Sequence, residues 1–228
     1  MPFDRLHAYF RSKGFEPFAF QLLAWERTAN RVHQLIQCPT GSGKTLAATG
    51  AMIETLLANP QVEGVRLLYV TPLRAMTKDL ELALKDPLVD SNVRVLSRNG
   101  DTSAKDRASL FRQPPQILMT TPESLSVILS SPKSQALFAS LESVVVDEWH
   151  DLMASKRGVQ MSLCLQRLLR FSADVTITGV SATLKDPKAA LEVLLPMGVD
   201  GELTQADINR VVNLSIAESG EDARLPWA

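Results

Sequence analysis

The sequence predicts an α/β fold, a mostly parallel, twisted sheet with helices on both faces. Three observations carry this expectation. Six short runs rich in β-branched and aliphatic residues recur: "HQLIQC" from His33, "VRLLYV" from Val65, "VRVLS" from Val93, "QILMT" from Gln116, "SVVVD" from Ser143 and "VTITGV" from Val175. Most are apolar on both faces, as suits strands covered from both sides. Stretches with helical spacing lie between them, and alternation of the two kinds indicates a sheet wrapped by helices.

Composition sets the outer bounds. The 228 residues are 45% hydrophobic and 21% charged, enough apolar material for one substantial core. The net charge of −1 excludes an overall basic field, so any nucleic acid must be held by a local patch. The two cysteines, Cys38 and Cys164, lie too far apart for metal spacing. They suit a reducing, cytoplasmic setting better than a disulfide scaffold. The first residues mix Asp4, Arg5 and His7 with apolar ones, unlike a signal peptide. No apolar run approaches the ~20 residues that a membrane helix needs.

Taken in order, residues 1–32 read as helices preceding the first strand. After the His33 run, Leu46, Gly50, Ile53 and Leu57 suggest the buried face of a helix starting at Lys44. After Gly158, the residues Met161, Cys164, Leu165 and Leu168 define another buried face, with Gln160, Arg167 and Arg170 turned away. Past Pro196 the pattern loosens, and "RVVNLSIAE" from Arg210 suggests one further strand before a polar tail. The domain is expected to occupy residues 1–198, and residues 199–228 to form an exit strand and the start of a linker.

"QCPTGSGKT" from Gln37 follows a strand and opens a helix, the context of a phosphate-binding loop. Thr40, Gly41, Ser42 and Gly43 would turn the backbone so that its N–H groups meet phosphate oxygens. Lys44 can reach the β- and γ-phosphates, and the Thr45 hydroxyl can bind Mg²⁺. Cys38 stands where this pattern usually begins with glycine. "SVVVDEWH" then ends a buried strand in two acids, at the sheet edge where α/β folds place ligands. Asp147 can hold the Mg²⁺. Glu148 is free to orient or deprotonate a water. A kinase acting on a metabolite would not need that second acid, so the pair favours hydrolysis of a nucleoside triphosphate.

Together with "SAT" from Ser181, these motifs resemble the first RecA-like domain of a superfamily 2 helicase. "GFEPFAFQ" from Gly14 is similar to the Q motif of that superfamily, with Gln21 twenty residues before Gly41. "TPLRAMTKDL" resembles motif Ia and "TTPESL" motif Ib. His150 makes the chain similar to the DExH proteins. "RNGDTSAKDR" and "DEWHDLMASKRGVQ" resemble Lhr-type helicases, within them the ligase-associated DEXH-box branch. The resemblance implies an ATP- and Mg²⁺-dependent motor moving 3′ to 5′ on DNA, with DNA-repair ligase and nuclease partners. It implies that Gln21 reads adenine with Phe15 or Phe18 stacking beside it, that Ser181 and Thr183 couple the two sites through His150, and that a second RecA-like domain completes the ATP site. The ending "RLPWA" looks like a cut in the link to that domain.

Thr71, Arg74 and Thr121 follow strands and would lie on one rim of the sheet, suited to the backbone of single-stranded DNA. Arg157 either joins them or faces the second domain. Two other readings stay open: the same motor on RNA, since nothing here reads a 2′-hydroxyl, and a stand-alone nucleotide-binding module that regulates a partner.

Overall fold

A computed structural model describes residues 2–72, 77–100, 109–172, 174–182 and 184–207. Seven parallel strands form one sheet among these residues: β1 (His33–Gln37), β2 (Leu67–Val70), β3 (Val95–Arg98), β4 (Ile117–Thr120), β5 (Ser143–Val146), β6 (Thr176–Ser181) and β7 (Gly201–Gln205). Their order across the sheet is β3-β4-β2-β5-β6-β1-β7. All six expected runs form strands. The seventh, "GELTQ", has no apolar alternation to reveal it; it pairs along the whole of β1, from His33 opposite Gly201 to Gln37 opposite Gln205. The run from Arg210 lies outside the described residues.

Helices cover both faces, as parallel sheets require. They are α1 (Asp4–Ser12), α2 (Ala19–Ala29), α3 (Lys44–Ala58), α4 (Thr77–Lys85), α5 (Pro122–Leu129), α6 (Ser134–Leu137), α7 (Trp149–Met153), α8 (Lys156–Phe171) and α9 (Pro187–Leu194). Strand alternation divides the core in two. Leu68, Val70, Leu118, Val144 and Val146 pack with α5, α8 and α9. Leu67, Tyr69, Ile117, Met119 and Val145 pack with α1, α2 and α3.

The α8 face is the expected one, since Met161, Cys164, Leu165 and Leu168 are buried. The α3 face is not. Ala47 through Ile53 are buried without a break, whereas Leu46 and Leu57 are only partly covered. A helix sandwiched between a sheet and two further helices has little solvent face, so its sequence loses the 3.6-residue contrast.

The strand order places the carboxyl ends of β5, β6 and β1 side by side, and those of β4 and β2 beyond them. This divides the ligand edge of the sheet into two halves with β5 as the border.

Candidate nucleotide site and adjoining rim

At the end of β1 the Cys38 N–H donates to Ser181 O of β6 at 3.1 Å, so the phosphate loop starts from a fixed base. Gly41 (φ 68°) and Gly43 (φ 80°) adopt the left-handed conformation that glycine reaches without strain. The Ser42 hydroxyl donates to Pro39 O at 2.6 Å and closes the arch. A Cβ on Gly43 would lie 2.6 Å from Gln21 Nε2, so this position excludes other residues by contact as well as by conformation. Lys44 then opens α3, whose first N–H groups have no partner within the helix and point into the arch.

Gln21 is nearly inaccessible, at 1% exposure. Its Oε1 accepts from the Phe18 N–H at 2.8 Å and its Nε2 donates to Gly43 O at 3.1 Å. The amide therefore joins the start of α2 to the phosphate loop instead of facing open space. Phe15 and Phe18 are both exposed. Phe18 stacks on Phe20 with ring centroids 6.0 Å apart, whereas Phe15 has no ring partner among the described residues.

The acids follow β5. The Asp147 N–H extends the ladder to Val70 O at 2.8 Å. Glu148 then takes φ 47°, a left-handed turn without glycine, and its N–H donates to Asp147 Oδ1 at 2.9 Å. Such a costly conformation persists only where its surroundings hold it. Here it brings the Glu148 carboxylate onto Lys44 Nζ, with which Oε1 forms an ion pair. Asp147 Oδ1 lies 3.8 Å from the same ammonium. Burial pushes the Asp147 carboxyl upward in spite of the Lys44 charge. Burial also works against the Lys44 ammonium, but Glu148 and Asp147 outweigh it and raise its pKa overall.

One residue of this cluster was not foreseen. Tyr69 on β2 is wholly buried, and its hydroxyl donates to Asp147 Oδ2 at 2.9 Å. Burial beside Asp147 drives the phenol well above its usual range. One of the two expected Mg²⁺ ligands is thus held in place from beneath by a neighbouring strand. The signal was a lone polar-tipped residue in the otherwise aliphatic "LLYV".

His150 Nδ1 lies 3.2 Å from Ser181 Oγ and 3.6 Å from Glu148 Oε2. A chain of contacts therefore runs from Lys44 through Glu148 and His150 to Ser181. Thr183 lies outside the described residues. Trp149, between Glu148 and His150, faces the core and anchors α7 by donating to Ala190 O at 2.8 Å.

The model of the DEAD/DEAH box helicase family matches residues 18–191, most of the chain and all of this cluster. The chain belongs to the DEAD/DEAH box helicases. It is 36% identical over 204 residues to the ATP-dependent helicase Lhr-Core of Methanocaldococcus jannaschii, covering 82% of this chain and 24% of that protein. It is likewise 36% identical over 212 residues to the Lhr helicase/uracil glycosylase of Escherichia coli, covering 83% and 13%. Among solved structures, Mycobacterium smegmatis helicase Lhr bound to ssDNA and AMP-PNP matches with a TM-score of 0.83 and 32% identity, covering 94% of this chain and 29% of that one. The chain thus spans a quarter or less of the length of these two curated relatives.

In this helicase domain the residues present fit a magnesium nucleotide. Among the described residues no three His, Cys, Asp or Glu side chains form a metal cage. Mg²⁺ needs none, since it keeps waters and phosphate oxygens and takes one or two protein ligands. Thr45 and Asp147, the latter held by Tyr69, would supply that number.

The expected nucleic-acid residues lie differently from the nucleotide residues. Thr71 and Thr121 do follow β2 and β4, but both are buried, at 1% and 2% exposure. Thr121 caps α5 by accepting from the Ser124 N–H at 3.3 Å. Thr71 Oγ1 has no partner among the described residues. Neither hydroxyl stands free on the surface: Thr71 still belongs to the sheet, its N–H donating to Thr120 O at 3.0 Å, and the Thr121 hydroxyl is taken up by the α5 cap. Arg74 lies outside the described residues. Arg157 points inward: its Nε donates to Glu123 Oε1 at 2.6 Å, and one terminal nitrogen donates to Pro72 O at 2.9 Å. Burial alone would raise the Glu123 carboxyl, but Arg157 and the Thr121 hydroxyl hold it below its ordinary value.

Proposed function

We propose that this chain is the first RecA-like motor domain of an ATP-dependent DNA helicase or translocase of the Lhr type, acting 3′ to 5′ on single-stranded DNA. The observation that carries the reading is the convergence of Lys44, Asp147, Glu148, His150 and Ser181 at the adjacent ends of β1, β5 and β6. Nucleotide phosphates in the arch would draw Lys44 from Glu148 by offering more negative charge. The released Glu148 carboxylate is then free to orient water and take its proton. Mg²⁺ would neutralise charge on the β- and γ-phosphates while Thr45 and Asp147 hold it. His150 touches both Glu148 and Ser181, so a change at the water-activating acid reaches the end of β6.

DNA as the track is supported by the solved Mycobacterium smegmatis relative, which was bound to ssDNA. Residues 1–198 would form the motor domain and 199–228 lead toward a second RecA-like domain of a longer protein, which supplies the remaining charge around the γ-phosphate. The short length relative to Lhr-Core supports that view. A role in DNA repair beside a ligase and nuclease rests on the motif resemblance alone. A cytoplasmic location suits the two free buried cysteines; among the described residues no helix is long and apolar enough to cross a membrane.

The test is ATP hydrolysis by a protein carrying this chain with its second RecA-like domain, with single-stranded DNA or RNA of the same length added. Stimulation by DNA well above RNA is expected. Preferential stimulation by RNA would transfer the motor to the other track, and no stimulation by either would favour a regulatory nucleotide module.

A further inference from the structure

Among the described residues the Arg157 side chain makes three hydrogen bonds, and all of them go to other parts of the rim. Nε donates to Glu123 Oε1 at 2.6 Å; one terminal nitrogen donates to Glu123 Oε2 at 3.3 Å and to Pro72 O at 2.9 Å. The pairing with Glu123 is two-pronged, the geometry in which guanidinium and carboxylate fix each other's orientation. Pro72 lies two residues past β2, Glu123 sits in the first turn of α5 directly after β4, and Arg157 opens α8 after β5. These strands are neighbours in the order β4-β2-β5. One side chain therefore ties the exits of β4 and β2 to the start of α8, on the half of the ligand edge that the nucleotide does not use.

The neighbouring sequence is arranged to place it there. A Cβ on Gly158 would lie 2.3 Å from Leu152 O, so only glycine lets α8 start this close to α7. One turn further along, Gln160 Nε2 donates to Ser126 Oγ at 2.7 Å, a second tie between α8 and α5. An exposed ion pair adds little to stability, and both members of this one are partly open to solvent. Its geometry is better suited to fixing positions than to holding the fold together.

We propose that Arg157 and Glu123 are positioning residues for the nucleic-acid strand: their ion pair sets the spacing of the β2 and β4 exits and the start of α8, and Arg157 does not itself contact phosphate. The proposal rests on the reading of the rim as a nucleic-acid track.

The experiment is binding of a fluorescent oligo-dT to a protein carrying this chain with its second RecA-like domain and to the Arg157→Ala and Glu123→Gln variants, at several salt concentrations, with Mg-nucleotide binding measured in parallel to report an intact fold. Glu123→Gln keeps shape and removes one charge on a half-exposed side chain, so it tests the pair even if Arg157→Ala fails to fold. Both variants should lose affinity by about three- to tenfold, the scale of one or two lost hydrogen bonds. Both should keep the salt dependence of the parent. If Arg157 instead contacts phosphate directly, its loss lowers the salt slope by about one phosphate. Glu123→Gln, which releases the arginine and removes a repulsive charge, then binds as tightly as the parent or more tightly. That opposite sign would overturn the proposal while leaving the motor reading in place. A parent protein carrying this chain with its second RecA-like domain that binds nucleotide but no oligo-dT would overturn both.

Discussion

The two halves of the ligand edge are built in opposite ways. At the ends of β1, β5 and β6, charged groups are gathered inward and held against one another: Lys44 on Glu148, Asp147 under Tyr69, His150 between Glu148 and Ser181. At the ends of β2 and β4, the hydroxyls of Thr71 and Thr121 are buried, and Arg157 turns back onto Glu123 and Pro72. The first half is a set of reacting groups in want of a substrate. The second is a frame braced by its own side chains. Chemistry needs side chains aimed at one atom, whereas a track for any sequence needs evenly spaced donors that read no base.

The sharpest way to test this contrast lies in the first half. Glu148→Gln should lower ATP turnover by about 10²–10⁴-fold, the usual contribution of a positioned base, with nucleotide affinity kept. Lys44→Ala should instead weaken nucleotide binding by about 10- to 100-fold, since it removes a charged hydrogen bond to phosphate. Equilibrium binding of a fluorescent nucleotide beside steady-state ATPase rates separates the two. Equal losses of affinity would mean that the Lys44–Glu148 pair acts as one structural unit, and the division of roles would fail.

The halves also differed in how plainly the sequence announced them. The phosphate loop is one continuous stretch, so its glycines, lysine and threonine predict their own geometry. Asp147 and Glu148 were legible because a strand of valines cannot continue through two acids. Tyr69 was legible only as an oddity, because its role depends on the pairing of β2 with β5, which no local pattern specifies. The brace between Arg157 and Glu123 spans thirty-four residues and two strand exits. In "ASKRGVQ" and "TTPESL" its members look like ordinary solvated charges. Gln21 was found by spacing, but its present bond to Gly43 O depends on how α2 packs on α3.

The second half should answer to backbone crowding more than to loss of charge. Gly158→Ala forces a Cβ against the Leu152 carbonyl and should destabilise the chain by about 1–3 kcal/mol, the scale of overpacking. Chemical denaturation would read it. A neutral outcome would show that the α7–α8 junction has slack, and the frame would be less rigid than described.

A smaller effect is expected at the border between the halves. Tyr69→Phe removes the hydroxyl that donates to Asp147. The Mg²⁺ concentration required for half-maximal nucleotide binding should rise about two- to tenfold, with binding in the absence of Mg²⁺ unchanged. An unaltered Mg²⁺ requirement would leave Tyr69 as a packing residue only.

The smallest effect concerns the opposite end of the strands that carry the phosphate loop. β1 and β6 are joined at their carboxyl ends by Cys38 N–H to Ser181 O, and at their amino ends by Ile177 N–H donating to His33 Nδ1 at 2.9 Å. That second bond needs an unprotonated Nδ1. Burial lowers the His33 pKa below its ordinary 6.5. Between the lowered value and 6.5 the unfolded chain binds more protons than the folded one, so stability rises with pH in that window. Acid should therefore begin to weaken the fold as pH falls through 6.5, with a slope of at most about 1.4 kcal/mol per pH unit from this one group. The loss should level off below the folded pKa, where both states are protonated. His33→Asn keeps an acceptor within reach of Ile177 N–H and cannot titrate. It should flatten the stability curve below pH 6.5 while leaving the shape of the ATPase pH profile as it was, because His33 lies at the far end of the sheet from Lys44. Denaturant midpoints across that range, measured beside the rates, decide the matter. An unchanged stability slope would acquit His33, and a shifted rate profile would show that the amino ends of β1 and β6 communicate with the phosphate loop along the strands.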